Sequence, residues 1–240
     1  MRIIFVNGSS RKNLSVSDRI IHEIGEKIKH LNPRAVIEVI VLREERVLYC
    51  QGCSRCFRDG ACELDKLDNF DVIKRKLLNA DIIFFVSPVY ANNVTGLTKN
   101  FIDRITYWTH LMLFSKKISG AIAVTSSSGG EFVKQYLGQM LTYLGSHCVM
   151  AGVYASGGYV DKFAQIDQFA NEVVFRLEKH IKEGSKNKSN EMLDRYFKAM
   201  KTIMASRLNM SINDSESLYW ERSGMIHFED YQEYIDSLER

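Results

Sequence analysis

The chain has 240 residues, 45% of them hydrophobic and 25% charged, enough to bury one sizeable core. Its 32 basic and 29 acidic residues leave a net charge of +3, too near balance for a nucleic-acid surface. No apolar run is long enough to span a membrane, and the few apolar residues after Arg2 are too short for a secretory leader, so a cytoplasmic protein is expected.

Arg2 to Val6 has strand character, and Ile20, Ile21, Ile24, Ile28 and Leu31 give the segment after it one apolar helical face. The turn between them, Asn7 to Val16, is rich in small hydroxyl and amide residues and carries Arg11 and Lys12. Such a loop presents backbone N–H groups, hydroxyls and a helix start to an anion, and a phosphate is the expected guest. Gly8 lacks a following Gly-Lys-Ser/Thr, and G-x-G-x-x-G is absent, which excludes the common nucleotide loops. A plain solvent-facing turn is the alternative for this stretch taken alone.

Asn32-Pro33 stops the first helix, and Val36 to Leu42 reads as a second strand. The irregular loop from Tyr49 to Glu63 then holds Cys50, Cys53, Cys56 and Cys62, while Cys148 stands alone in a later apolar run. Four cysteines in one loop are no secreted disulfide framework. Their C-x2-C-x2-C-x5-C spacing lets the thiolates reach one zinc ion or one iron–sulfur cluster, or leaves reduced thiols that pack the loop.

Phe70, Ile73 and Leu77, supported by Leu67, predict the next helix, and Ile82 to Val86 a central strand covered on both faces. Ser87 to Val94 leaves that strand as a loop because Pro88 removes a donor. A helix through Leu97, Phe101, Ile105 and Trp108 follows, then a strand at Ile118 to Val124 and a small-residue loop at Thr125 to Gly130. Phe132, Tyr136, Met140 and Tyr143 mark the next helix, Cys148 to Ala155 the fifth strand, and Ile166, Phe169, Val173, Leu177 and Ile181 the helix after it. Five strand-helix pairs predict a doubly wound α/β fold, a five-stranded parallel sheet with helices on both faces. Ligands in such sheets bind beyond the carboxyl ends of the strands, where the loops at 8–17, 87–94 and 126–130 all fall.

A break over residues 184–190 divides residues 1–184 from a C-terminal helical extension, 185–240. Met192, Tyr196, Met200 and Ile203 predict a helix there, and the tail from Asp214 holds Tyr219, Trp220, Tyr231 and Tyr234. These aromatics are expected to pack on the chain's own domain or on a partner subunit. The tail carries eight acidic residues against two arginines and follows a basic stretch at 179–188, a pattern that points to pairing within the chain or between subunits.

Asn7-Gly-Ser-Ser-Arg-Lys12, Cys50-x-x-Cys53-x-x-Cys56 with Gly60 and Cys62, Ala80 through Ser87-Pro-Val-Tyr90, and Asn93 through Lys99 to Phe101-Ile-Asp-Arg104 occur in that order. With these pieces the chain resembles the flavodoxin-like flavoproteins of the NADPH-dependent FMN reductase family over residues 1–180. The resemblance implies FMN above the strand ends, its phosphate held by Ser9, Arg11, Ser15 and Ser17. Pro88, Val89, Tyr90, Asn92 and Asn93 would line one side of the flavin ring, and Ser126, Ser128, Gly129 and Gly130 the other. Ser10 stands where the family commonly has proline.

Backbone N–H groups at Val89, Tyr90 and Gly129 are expected to stabilise charge on the reduced ring, and Tyr90 to act as a lid or, as the catalytic candidate, a proton donor. The resemblance implies NAD(P)H as reductant and a quinone, flavin, nitroaromatic or similar small molecule as acceptor. The cysteine spacing resembles that of iron–sulfur flavoproteins, which implies the alternative of a [4Fe-4S] cluster on Cys50, Cys53, Cys56 and Cys62, fed by a ferredoxin-like donor. A non-enzymatic flavin-binding electron carrier is a third reading. A homodimer or homotetramer is implied too, with Asp103 and Arg104 in a local ion pair or at the subunit boundary, and Trp108 covered there.

Overall fold

The apolar runs become β1 (Arg2–Asn7), β2 (Val36–Val41), β3 (Ile82–Pro88), β4 (Ile118–Thr125) and β5 (His147–Ala155) of one parallel sheet, ordered β2-β1-β3-β4-β5. The structure is a computed structural model that describes residues 1–12, 15–157, 162–182 and 188–238. Strands β1, β3 and β4 are buried along nearly their whole length, which is why their sequences are apolar without alternation. Strand order reverses between β1 and β3, so the switch point that favours ligand binding lies between the first and second predicted site loops.

Connecting and following the strands are α1 (Val16–Leu31), α2 (Arg55–Asp59), α3 (Phe70–Leu78), α4 (Gly96–Ile105), α5 (Tyr107–Leu111), α6 (Gly130–Tyr143), α7 (Lys162–Lys182), α8 (Glu191–Asn209), α9 (Ser215–Arg222) and α10 (Tyr231–Leu238). On one face of the sheet α1 and α7 bury Ile20, Ile24, Val173 and Leu177 over Phe5 and Phe84, whose rings stack at 4.8 Å. On the other face α3 to α6 cover Ile4, Ile83 and Phe85. The single helix predicted through Trp108 is divided at Thr106. That hydroxyl donates to the Ile102 carbonyl at 2.8 Å, the back-bonding that bends helices.

Two predicted helical faces are corrected by one position. In α6 the buried stripe is Val133, Leu137 and Leu141, while Phe132 is 66% exposed. In α8 it is Leu193, Phe197, Met200 and Met204, with Met192 and Ile203 exposed. Both helices carry apolar residues on more than one side, and the sheet takes the aliphatic stripe of α6. The outer aromatic side of α6 serves the extension, as Tyr143 stacks on Tyr196 at 4.4 Å.

The C-terminal helices form a third core around Phe197, Trp220, Met225 and Tyr231. It is tied back by Trp220 Nε1, which donates to the His110 carbonyl at 2.8 Å, and by the Tyr231 hydroxyl, which donates to the Gly145 carbonyl at 2.6 Å. The acids of the tail pair mainly with α8, Asp214 and Glu216 with Arg207 and Glu229 with Lys201. The predicted boundary at residues 184 and 185 lies outside the described residues, as does part of the basic stretch before it. Among the described residues no helix is long and apolar enough to cross a membrane.

Candidate functional site

Beyond the carboxyl ends of β1, β3, β4 and β5 the predicted loops meet in one cleft. Its cavity is small, about 120 Å³, below the roughly 300–1,000 Å³ of typical small-molecule sites. Ser9, Arg11, Ser15 and Ser17 line it from the first loop, Pro88, Val89 and Tyr90 from the second, and Ser126 from the third; Thr125 and Ser156 complete it. Asn92, Asn93, Ser128, Gly129 and Gly130 do not line it but shape the wall behind. Asn93 Oδ1 accepts from the Val94 N–H at 2.8 Å, and the Ser128 carbonyl accepts from Thr125 Oγ1 at 2.6 Å. A larger open groove between α1 and α7, about 800 Å³ and lined by Glu26, His30 and Phe175, lies away from the strand ends.

Asp18 organises the first loop. Its carboxylate accepts from Asn7 Nδ2 at 2.6 Å and from the Ser15 N–H and hydroxyl at 2.9 and 3.0 Å, and it pairs with Arg43 at 3.2 Å. Burial alone raises the Asp18 carboxyl, but the Ser15 and Arg43 donors outweigh it and hold the group below the ordinary carboxylate range. A depressed folded pKa contributes stability that is present above the unfolded value of about 3.9 and is lost as pH falls through the folded value. We therefore expect the Tm difference between the wild type and Asp18→Asn to be full above about pH 4 and to close below it. Parallel Tm profiles across that window would contradict this role.

The loop hydroxyls have different duties. Ser15 caps α1, accepting from the Asp18 N–H at 3.1 Å while its own proton goes to the Asp18 carboxylate. Ser17, buried two residues further on, has no side-chain hydrogen bond among the described residues and lines the cleft. Ser9 Oγ only accepts a long 3.4 Å contact from the Arg11 N–H. Ser9 and Ser17 thus keep a free proton beside the start of a 16-residue helix, where an anion is favoured.

The second loop is a tight hairpin. The Tyr90 and Asn93 N–H groups donate to each other's carbonyls at 2.8 and 2.9 Å, across Ala91 and Asn92, both left-handed at φ 49° and 59°. Two positive φ angles define the two-residue turn that matches strand twist. Gly129, at φ 77°, lets the third loop touch this hairpin, since a Cβ there would lie 3.0 Å from Asn92 Cα. The expected ring donors are corrected: the Val89 N–H is taken by the Val124 carbonyl at 2.9 Å and the Tyr90 N–H by Asn93, which leaves Gly129 of the three. Tyr90 is 46% exposed, and its hydroxyl has no partner among the described residues, which suits a lid.

The cysteine loop leaves β2. Left-handed residues at Gly52 and Ser54 turn the backbone on either side of Cys53, α2 carries Cys56, and Gly60 ends it with its N–H on the Cys56 carbonyl. All four thiols are free, Cys50 and Cys53 exposed and Cys56 and Cys62 half-buried. An Arg55–Glu63 ion pair spans from the third cysteine's flank to the fourth's. Burial, then the neighbouring Cys62 and Cys50, push the Cys56 thiol up to about 11. Among the described residues, no three His, Cys, Asp or Glu side chains are arranged to hold a metal ion.

Arg104 is not at a subunit boundary. It is wholly buried, bonded to Asp68 and Asp65 at 2.6 Å each and to the Leu48 carbonyl at 2.7 Å, so its ion pairs are long-range, and the local pair is the one Asp103 makes with Lys99 at the surface. Trp108 is buried by its own chain. Sequence reasoning also missed Asp18, Arg43, Thr125 and Ser156. Asp18 had a signal, since Ser15-Val-Ser-Asp18 has the spacing of a capping box; the others act across long sequence separations.

A family model described as NADPH-dependent FMN reductase matches residues 1–161, the span from β1 through β5 with the whole cleft. An iron–sulfur flavoprotein of Clostridioides difficile is 30% identical over 188 residues, 78% of this chain and 77% of that one. An iron–sulfur flavoprotein of Archaeoglobus fulgidus is 31% identical over 143 residues, 59% of this chain and 62% of its own length. Among solved structures, an FMN-dependent NADH-azoreductase of Bacillus anthracis, in complex with FMN, superposes with a TM-score of 0.56 at 16% identity, over 73% of this chain and 98% of that one. A flavone reductase superposes at 0.59 and 16% identity, over 79% and 66%. Those two likenesses concern the fold. With the family match covering the sheet and the cleft together, the chain belongs to the NADPH-dependent FMN reductase family.

Proposed function

We propose that this FMN-dependent oxidoreductase holds a [4Fe-4S] cluster on Cys50, Cys53, Cys56 and Cys62, takes electrons from a ferredoxin-like carrier and delivers them to a small acceptor such as a quinone, flavin or nitroaromatic. The observation that carries the flavin half is the cleft, where the free hydroxyls of Ser9 and Ser17 meet the start of α1 opposite the 88–93 hairpin. The cluster half is supported by four reduced thiols confined to one loop, the donor set such a cluster requires, and by relatives that are themselves iron–sulfur flavoproteins. Bound FMN supplies the redox chemistry and the cluster supplies one-electron entry.

The chain's own residues bind and orient. Ser9, Ser17 and Arg11 hold the phosphate, with Ser15 shaping their loop. Pro88, Val89 and Tyr90 cover one side of the ring, Asn92 and Asn93 hold that hairpin, and Ser126 with the Ser128, Gly129 and Gly130 turn closes the other side. The Gly129 N–H is the donor offered to the reduced ring, and Tyr90 excludes water as a lid. Residues 1–184 form the flavin domain and 185–240 its extension. Assembly as a homodimer or homotetramer rests on the family resemblance and is read by sedimentation.

Ser17→Ala is expected to weaken FMN binding by about 1.5–3 kcal/mol, the range for a hydrogen bond to a charged group. Ser15→Ala should instead cost about 0.5–2 kcal/mol of folding stability as a lost helix cap. Flavin titration and urea unfolding of the two variants separate these duties, and an unchanged FMN affinity in Ser17→Ala would misplace the phosphate.

The second reading, an NAD(P)H-fed reductase without a cluster, is favoured by the family model that matches the domain. Anaerobic protein mixed with a reduced ferredoxin-like carrier, and separately with NADPH or NADH, decides between them. Flavin bleaching at least tenfold faster with the carrier supports the proposal, and bleaching by NAD(P)H alone in iron-free protein supports the second reading.

A further inference from the structure

One helix serves both halves of the site. At its start α4 braces the first two loops of the cleft: Thr95 Oγ1 donates to the Gly8 carbonyl at 2.7 Å, and Thr98 Oγ1 donates to Ser87 Oγ at 3.2 Å. One turn further on, Asn100 Nδ2 donates to the Val47 carbonyl at 3.1 Å, while Asn100 Oδ1 accepts from the Cys50 N–H at 3.3 Å. At the next turn Arg104 reaches Leu48 on the near side of the cysteine loop and Asp65 and Asp68 on its far side. Those two flanks also meet directly, since the Leu48 N–H donates to Asp68 at 2.8 Å.

We propose that Arg104, with Asn100, is a positioning clamp that closes the neck of the cysteine loop and anchors it to α4, which limits how far its four thiols must move to gather on a cluster. The proposal rests on the cluster reading of those cysteines. A planar guanidinium bonds both flanks at once, which a lysine at the same place does not do. Buried charges set between two chain segments are costly unless fully paired, so a residue kept there needs both flanks in register.

The test compares wild type, Arg104→Lys and Asn100→Ala, the last keeping the buried ion pairs intact in case the first fails to fold. In cluster-free protein, amide hydrogen exchange over residues 49–62 should quicken at least tenfold in both variants, with the strands of the sheet unchanged. In anaerobically reconstituted protein, iron loss to a chelator should quicken at least tenfold while the FMN Kd stays within twofold. Unchanged exchange and unchanged iron loss in the folded variants overturn the clamp while leaving the cluster reading intact. A wild type that takes up no iron or sulfide overturns the cluster reading, and with it the purpose assigned to the clamp.

Discussion

Changing any one of Cys50, Cys53, Cys56 or Cys62 to alanine should strip iron and sulfide from protein prepared without oxygen and leave FMN bound. A cluster of this kind is held by all four thiolates, so losing one is not a quarter of the effect. The cleft is lined from elsewhere in the chain, mainly the loops after β1, β3 and β4, and none of the four thiols lines it. The folding cost should be small for Cys50 and Cys53, which are exposed, and larger for Cys56, which packs with Phe57 against the core beneath α4. A thiol role in packing alone predicts the reverse pattern, with modest stability losses graded by burial and no metal to lose. One zinc per chain, retained by three of the four variants, would make the loop a structural staple instead.

Gly8→Ala should lower FMN affinity at least tenfold and cost about 1–3 kcal/mol of stability, the usual range for overpacking a filled site. A Cβ on Gly8 would lie 1.8 Å from Thr98 Oγ1 and 3.2 Å from Thr95 Oγ1. Neither hydroxyl is free to swing away. Thr95 and Thr98 are buried, bonded to each other at 2.9 Å and to the Gly8 carbonyl and Ser87, so relief must come from moving the first loop off α4. That motion separates the phosphate side of the cleft from the ring side. Gly96→Ala is the control, because a Cβ there meets nothing within 4 Å and helix residues favour alanine over glycine by about 0.5–1 kcal/mol. Urea unfolding and flavin titration of the pair should diverge in sign, and matching behaviour would dissolve the tie between the loops.

The sheet was legible because its central strands are apolar on both faces and bounded by small-residue turns, which also placed the three site loops at one end. The helical faces of α6 and α8 were less so, since Phe132 and Val133, or Met192 and Leu193, offer competing stripes that only the neighbouring layer resolves. In the first loop the abundance of hydroxyls was visible, but their division of labour depends on where α1 starts, which makes Ser15 a cap and leaves Ser17 free. Arg104 shows the limit most clearly. From sequence it reads as half of a local ion pair or a subunit-boundary contact, but its partners Asp65, Asp68 and Leu48 lie 36 to 56 residues away, where no periodicity or local motif points to them. The clustering of Cys50, Cys53, Cys56 and Cys62 was in plain view, while the loop's docking on α4 through Asn100 was not.

The central claim, a flavin cleft and a cluster loop joined on one helix, is tested most directly by the flavin, iron and sulfide content of wild-type chain purified without oxygen. The account predicts one FMN with about four irons and four sulfides per chain. Stoichiometric FAD, or FMN with zinc and no iron, would contradict it.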